Sequence, residues 1–508
     1  MFGKTETSAI VGIDARRVTV EADFGDGLPE FDMVGFLGSE VREARERVRS
    51  ALKNAGITVP PGRLTVNLSP ANLKKQGNAF DLAIAMAVLS AIGILPEAAL
   101  SPYDFVGELS LDGMLRPVNG TLPHVMSARE AGKRGTIVPK ENGTEGAVFE
   151  DHAIYALSSL SEVIRFVLSP ESESPVPTAR ETPEFKRNAV DFSEVIGQES
   201  VKRAAAVASA GMHGFLMIGP PGTGKTLTAR RIPTILPPLT ERERIECTKI
   251  YSVAGLLAEN AGLVGERPFR SPHHTISANG LVGGGGMPKP GEMSLAHNGV
   301  LFLDELPEFP KTTLEVMRQP LEDKQVVISR VQGSFVFPTR VMLVLAMNPC
   351  QCGFYPDRNK CNCSEADVRR YLSKISKPLL DRVDISVEVP RIGKSDLSKG
   401  VSGKTSEELK SMVVAAWEIQ KERYKNDRIV FNSELEGKKI RKYCVLTADA
   451  ESFLKEAFEK LELSLRAYDR ILKVGRTIAD LKGAEKIELS HISEAVSYRS
   501  LDRKFWRP

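Results

Sequence analysis

What the 508-residue chain lacks narrows the field first. It has no long uninterrupted apolar run. The longest stretch, Phe80 to Leu95, is broken by Asp81 and Ser90. That falls short of the roughly 20 apolar residues a bilayer-spanning helix needs, so it reads as a buried helix and no membrane segment is expected. No basic segment followed by an apolar core opens the chain, so no secretory signal is expected. No charge sign dominates. Lys and Arg number 68 against 65 Asp and Glu, a formal net charge of +3. Any nucleic-acid contact must therefore come from local patches and not from a globally basic surface. Cysteine is scarce, six in all, too few for a disulfide scaffold in a chain this long. Four of the six crowd into one short segment, which suggests a metal in a reducing compartment, and a cytoplasmic location is expected. No internal repeat is present.

What remains is a composition that can fold. Apolar residues make up 42% and charged residues 26%, enough to bury cores, and the length fits about three domains. From Ser169 the chain turns polar, with Pro170, Pro175, Pro177 and Pro183. Proline removes backbone donors and nothing there offers a face to bury, so 169–188 reads as a linker. A softer polar boundary runs from Gly393 to Glu408. The expected units are therefore 1–168, 189–395 and 396–508. In the first, Arg17 to Ala22 alternates as a strand. Ser39 is placed to cap a helix carrying Val41, Ala44, Val48, Leu52 and Ala55 and ended by Gly56. Arg63 to Leu68 and Phe105 to Leu111 read as strands, Phe80 to Ala91 and Leu122 to Ala131 as helices, and Ile154 to Leu157 as a last strand. In the second, short apolar strands at Phe215–Ile218, Val300–Leu303 and Val341–Ala346 alternate with helices, which argues for a parallel α/β sheet. The third is helical, with 3.6-residue periodicity over Ala448–Leu461, Arg466–Leu481 and Ser490–Tyr498.

Gly219-Pro220-Pro221-Gly222-Thr223-Gly224-Lys225-Thr226 fits G-x-x-x-x-G-K-[ST] and sits between an apolar strand and a helix, the context a phosphate-binding loop requires. The glycines let backbone N–H groups face phosphates, and the helix N-terminus adds its positive dipole end. Lys225 is placed to reach the β- and γ-phosphates and Thr226 a magnesium ion. About 80 residues on, the strand ending at Leu303 delivers Asp304 and Glu305 to its C-terminal end. Asp304 is expected to hold magnesium through water, and Glu305 to activate the attacking water. Val341 to Met347 runs into Asn348, which either orients that water or merely forms a turn. Leu379-Leu380-Asp381-Arg382-Val383-Asp384 offers an arginine between acids, either a local salt bridge or an arginine finger completing a neighbour's site.

Together these motifs resemble the AAA+ ATPases, and Val195-Ile196-Gly197-Gln198-Glu199 resembles that family's adenine-side entry. Phe269-Arg-Ser-Pro-His-His-Thr275, Gly283 to Gly286, and Pro288 to Gly299 resemble the magnesium-chelatase branch, in which an insertion projects a loop toward the ring pore. Ser464-Leu-Arg466-Ala-Tyr-Asp-Arg470 resembles that branch's sensor-2 helix, with Arg466 matching the phosphate-sensing arginine. Nearly the whole chain resembles the ComM/YifB family. The resemblance implies an N-terminal Lon-protease-like (ribosomal S5 domain 2-like) α+β domain, a central AAA+ P-loop α/β domain and a C-terminal helical lid. It further implies a hexameric ATP- and Mg2+-dependent DNA motor for branch migration and unwinding in the homologous recombination of natural transformation. DNA and recombination proteins are then the expected partners.

The first domain is not expected to be a protease. Where a Lon protease carries its nucleophilic Ser, Gly77 to Ala83 has none, and where it carries its Lys, Asn119 to His124 has none. Cys350, Cys352, Cys361 and Cys363 form C-x-C-x8-C-x-C, suited to tetrahedral Zn2+ and otherwise to free thiols or a redox pair. Cys247 and Cys444 read as ordinary buried thiols. His273 and His274 have no acidic partners at ligand spacing and read as loop contacts or structural residues. For DNA, Gln325 to Phe337 reads as a β-hairpin presenting Arg330, or as an ordinary hairpin. The glycine-rich insertion with Lys289 is a second candidate. Lys421 to Tyr443, with eight Lys/Arg and four acids, is a third or a solvated face. The tail Arg503 to Arg507 reads as a phosphate- and base-binding element or as a docking segment. Two rival functions stand beside the DNA motor: a chelatase motor subunit and a protein remodeller with an inactive Lon-like domain.

Overall fold

The computed structural model describes residues 1–178, 190–258, 261–331, 333–391 and 403–506. The first unit is built on a mixed four-stranded sheet ordered Phe2–Val11, Asp14–Gly25, Arg63–Ser69, Glu30–Val34. Its last pair is parallel and the others antiparallel. Val18, Val20 and Ala22 alternate inward along the second strand. The helix Ser39–Asn54 turns Val41, Ala44, Val48, Ala51 and Leu52 into the same core. Its N-cap is Gly38 and no side chain caps it, so Ser39 is the first helical residue and not the cap. Gly56, at φ +79°, ends it.

Asp81–Ala91 is buried along its whole length. The carboxylate that interrupts the apolar run is accommodated because Arg47 grips Asp81 with two bonds, 2.6 and 2.9 Å, and the Leu109 N–H donates to it at 3.2 Å. A second, parallel sheet joins Tyr103–Phe105, Gly135–Pro139 and Ala153–Leu157. The single strand expected from Phe105 to Leu111 is divided. Gly107 N–H bonds to Ala79 O, turning the chain, and Glu108–Leu109 pairs instead with Leu115–Arg116.

The polar stretch begins as part of this unit. Pro170–Ser172 forms a 3-10 turn, and Val176 N–H donates to Ile154 O at 2.8 Å, with its side chain packed against the Ile154 cluster. Residues 179–188 of the expected linker lie outside the described residues, as does the softer boundary as far as 402.

The central sheet is wholly parallel, in the order Phe269–Arg270, Gly299–Leu303, Val341–Met347, Phe215–Ile218, Ile385–Glu388. Its three inner strands read as continuous apolar runs because both faces are covered. On one face lie Glu199–Gly211, Lys225–Ile235 and the C-terminal helices, including Ser406–Arg423 and Leu465–Leu481. The other face packs on the insertion and the cysteine segment. Among the described residues no helix is long and apolar enough to cross a membrane.

The first unit docks on the helix Glu241–Ala254 and the hairpin Gln325–Arg330/Gly333–Pro338. Ile13, at the turn between the first two strands, enters a cluster of Ile250, Leu295, Val326, Ile328 and Phe337. Asp14 pairs with Lys249, Gly120 N–H donates to Ser252 O, and the buried Glu145 accepts from Ser252 Oγ. Gly12 (φ +68°) lies so near Val336 O that a Cβ would meet it at 2.9 Å.

Candidate nucleotide site

Parallel pairing brings three strand ends together. Ile218 lies opposite Met347, and Leu303 opposite Leu345, so the residues that follow each strand emerge side by side. The phosphate loop turns on Gly222 and Gly224, both at positive φ. Gly219 has no room for a side chain, since a Cβ there would stand 2.4 Å from Val389 O. Lys225 Nζ donates to Gly219 O (2.8 Å), Pro220 O (2.9 Å) and Asn348 Oδ1 (3.1 Å). Thr226 Oγ1 donates to Asp304 Oδ2 at 2.5 Å, and Glu305 N–H donates to Asp304 Oδ1 at 2.9 Å. Gln198 Nε2 donates to Thr223 O at 2.8 Å and Pro390 O at 3.4 Å, tying the Val195–Glu199 segment to the loop, with Ile196 half-buried. Lys225, Thr226, Asp304, Glu305, Asn348 and Gln198 thus form one constellation.

The hydroxyl of Thr226 and the carboxylate of Asp304 are hard oxygen donors side by side, which suits magnesium. The ion would neutralise charge on transferring phosphates. Burial pushes the Lys225 ammonium down to about 8, against the opposing pull of Asp304 and Glu305.

The arginines sit elsewhere. Arg382 precedes the strand Ile385–Glu388, and its carbonyl crowds Gly214, where a Cβ would lie 2.2 Å away. It therefore stands at the opposite end of the sheet from the phosphate loop, with the strand Phe215–Ile218, roughly 13 Å at ~3.3 Å per residue, between them. Arg382 pairs with Glu322 of its own chain. Arg466 is placed with it and not with Lys225. Its side chain is 69% exposed and 3.7 Å from Asp381. Arg470, one turn further along the same helix, is the anchored arginine. It is 8% exposed and reaches Asp381 at 3.3 Å and Asp384 at 3.9 Å. The i,i+4 spacing of the two arginines was the available signal for this pairing.

The fold also supplies what spacing hid for the histidines. His274 Nδ1 lies 3.6 Å from Glu305 Oε2, with the His273 ring against it, centroids 4.0 Å apart and planes tilted by 34°. The acidic partner is 31 positions away in sequence and adjacent in space.

The four clustered sulfurs lie within 4.8 Å of one another, a grouping able to hold a metal ion. Cys247 and Cys444 are buried, each thiol pushed up to about 12 by that burial. Arg330 Nε donates to Gly285 O at 3.4 Å, so the hairpin Gln325–Arg330/Gly333–Pro338 and the glycine-rich loop with exposed Lys289 form one projection. Half of the basic residues in the run from Lys421 are paired with acids. Lys421, Arg423, Lys425 and Lys439 pair with Glu418, Asp480, Glu422 and Asp427. In the tail, Phe505 is buried beside Tyr355 and Lys504 pairs with Glu388, so the segment docks on its own core; the side chain of Arg503 and all of Arg507 lie outside the described residues. In the first unit Ser8 Oγ sits 2.7 Å from His124 Nδ1. Both are buried, and burial pushes the imidazole down to about 4, so the pair is closed to a substrate.

A phosphate loop, acids and a polar amide on adjacent parallel strand ends, with arginines on the far edge, define a P-loop ATPase of the AAA+ class. Residues 191–397 match the model described as magnesium chelatase, subunit ChlI. Residues 20–142 match subunit ChlI of Mg-chelatase, and 403–499 match the subunit ChlI C-terminal model. The chain is 43% identical over 504 residues to the competence protein ComM of Haemophilus influenzae, covering 97% of each. It is 42% identical over 500 residues to YifB of Escherichia coli, covering 98% of this chain and 97% of that one. A 149-residue stretch, 27% of this chain and 26% of the relative, is 31% identical to Lon protease 2 of Bacillus subtilis. The chain belongs to the ComM/YifB family, with magnesium-chelatase-like AAA domains behind a Lon-like first domain.

Glu305→Gln should retain ATP binding but lose turnover by ~10²–10⁴-fold, as removal of a general base does. Nucleotide titration beside steady-state hydrolysis checks this, and undiminished turnover would remove Glu305 from the chemistry. The lowered Lys225 fixes a pH dependence too. Bound phosphate favours the ammonium, so above pH ~8 binding must take up a proton and the ATP Kd should rise, by up to about tenfold per pH unit. For the free chain the sign is opposite to that of a salt-bridged lysine: between about 8 and the ordinary 10.5 the unfolded state holds more protons, so stability rises with pH there. Calorimetry in buffers of different ionisation enthalpy reads the proton uptake directly.

Proposed function

We propose that this protein is an ATP-driven, DNA-translocating ring, a hexamer that promotes branch migration and unwinding during the recombination steps of natural transformation. The observation that carries the reading is the separation of Arg382 from Lys225 across the full height of the sheet. A guanidinium there serves a γ-phosphate only when that phosphate belongs to the next subunit. Arg466 and Arg470 share that edge, so the cations needed for transfer are supplied across an interface. In each chain Lys225 cradles phosphate oxygens, Asn348 and Glu305 orient and deprotonate water, and Thr226 and Asp304 hold magnesium. The units run 1–168, 189–395 and 396–508, with the start of the linker, through Val176, packed on the first, which acts in assembly and not in proteolysis, the closed Ser8–His124 pair in support. The exposed projection of Arg330 and Lys289 is the DNA-contacting element, and the competence protein among the relatives supports that reading. The cysteine cluster holds structural zinc.

Mixing decides the ring. Arg382→Ala and Lys225→Ala chains should each hydrolyse ATP poorly, and together recover part of the activity, because a mixed interface pairs an intact loop with an intact finger. Normal hydrolysis by Arg382→Ala at concentrations where it is monomeric would place the whole site within one chain. For DNA, forked and four-way substrates should be unwound by the native chain and not by Lys225→Ala. Arg330→Ala with Lys289→Ala should flatten the salt dependence of binding by about 2 in log–log slope, one per lost phosphate contact. An unchanged slope would move the DNA path elsewhere.

A further inference from the structure

The cysteine segment adjoins the ATP site from two sides. The amide strand ends at Met347, Asn348 holds Lys225 at 3.1 Å, and Cys350 follows two residues later, fully buried. Three residues beyond it, Gly353 turns at φ +86° against the phosphate loop. A Cβ there would stand 2.5 Å from Cδ and 3.2 Å from Cγ of Pro221. Next, Phe354 carries the guanidinium of Arg391 on its ring at 4.7 Å, one residue from the Pro390 carbonyl that anchors Gln198. The segment from 350 to 363 thus touches the amide that holds Lys225, the Walker loop itself and Arg391, next to the Gln198 anchor.

The sulfurs that would fix this segment have spacings suited to a single ion. Cys350 lies 3.3 Å from Cys352 and 3.8 Å from Cys361, and Cys352 lies 3.5 Å from Cys361. Four thiolates about 2.3 Å from a tetrahedral zinc stand ~3.8 Å apart, close to the separations among Cys350, Cys352 and Cys361, and Cys363 completes a set whose sulfurs all lie within 4.8 Å of one another. A supporting shell is present. The Tyr355 N–H donates to Cys350 Sγ at 3.4 Å, and Arg358 Nη1 donates to Cys363 O at 2.9 Å while lying over the Tyr355 ring. Hydrogen bonds of this kind hold ligating sulfurs in position.

We propose that the four-cysteine zinc site is a brace for the ATP pocket: bound metal fixes the 350–363 segment, and through the Gly353–Pro221 contact and Asn348 it sets the phosphate loop in its binding shape. Gly353 and Pro221 are positioning residues here, and zinc occupancy governs nucleotide affinity as well as the integrity of the segment. The inference rests on the reading of the cysteines as a zinc site and of the loop as an ATP site. It adds that the two are mechanically one.

The test uses the full-length protein and three measurements: zinc by elemental analysis, fold by circular dichroism, and Kd for a fluorescent ATP analogue. Native protein treated with a zinc-selective chelator, and the Cys352→Ser/Cys363→Ser variant that removes the two half-buried ligands, should stay folded, lose zinc and bind the analogue on the order of tenfold more weakly, with zinc restoring the chelated sample. Gly353→Val keeps all four cysteines. It should retain zinc and weaken binding comparably, because its side chain displaces Pro221. A native protein without zinc would refute the metal reading. A zinc-bearing native protein whose folded, zinc-free form binds the analogue normally would refute the brace alone. If chelation unfolds the chain, Gly353→Val decides: native affinity with zinc in place overturns the proposal.

Discussion

The Lys225 ammonium, reaching from the phosphate loop to Asn348 on the neighbouring strand, is the contact around which the rest is arranged. It requires the two strands to be parallel and adjacent, with ends level to within a residue, and the register of Ile218 opposite Met347 meets that requirement. The same parallel pairing places Asp304 one strand further out, against Thr226. Parallel strands demand crossovers, and the crossovers are where this chain inserts its special parts. Between the first two strands in chain order, Phe215–Ile218 and Phe269–Arg270, lies the helix Glu241–Ala254 that receives the first domain. The glycine-rich insertion falls before the acidic strand, the hairpin before the amide strand, and the cysteine segment after it. Each accessory element is therefore anchored at both ends to the sheet that carries the chemistry.

That anchoring explains why the first domain is not a separate passenger. Its Ile13 fills the apolar base of the hairpin whose far end carries Arg330, and its Asp14 and Glu145 engage the helix Glu241–Ala254. An apolar plug flanked by charged and hydrogen-bonded contacts resists both sliding and rotation, so the hairpin is held to the first domain as well as to the ATPase sheet.

Legibility in the sequence followed the range of the interactions. Gly219 to Thr226, the acids after Leu303 and the amide after Met347 could be read because a strand followed at once by a polar chemistry-bearing residue is a local pattern. The division of the strand expected at Phe105–Leu111 could not, since Ala79, which accepts from Gly107, lies 28 residues earlier. Asp81 looked like a flaw in an apolar run until Arg47 was brought to it from another helix. His274 appeared to lack an acid because Glu305 reaches it only through the sheet. The basic run at Lys421 to Tyr443 looked like a patch because its neutralising Asp480 is 57 residues from Arg423. Motifs that consist of backbone shape were visible, and partners chosen by folding were not.

The edge that carries Arg382 shows the same selection of partners by folding. Burial lowers the Arg382 guanidinium, and the positive fields of Arg466 and Arg470 lower it further. Like charges brought together at a partly dehydrated edge repel, and the edge persists because Glu322, Asp381 and Asp384 interleave with them. Asp384 is itself fixed from behind by His213 Nδ1 at 3.0 Å, and His213 Nε2 bonds to Thr477 Oγ1 at 2.7 Å on the helix that also carries Arg466 and Arg470. The turn bearing Arg382 and the helix bearing the other two arginines are thus pinned to one another through buried polar groups. Buried hydrogen bonds of this kind are costly to break singly, so the turn and the helix are held to one another. A helical region that shifts relative to the sheet must then carry Arg382, or else break the His213 bridge.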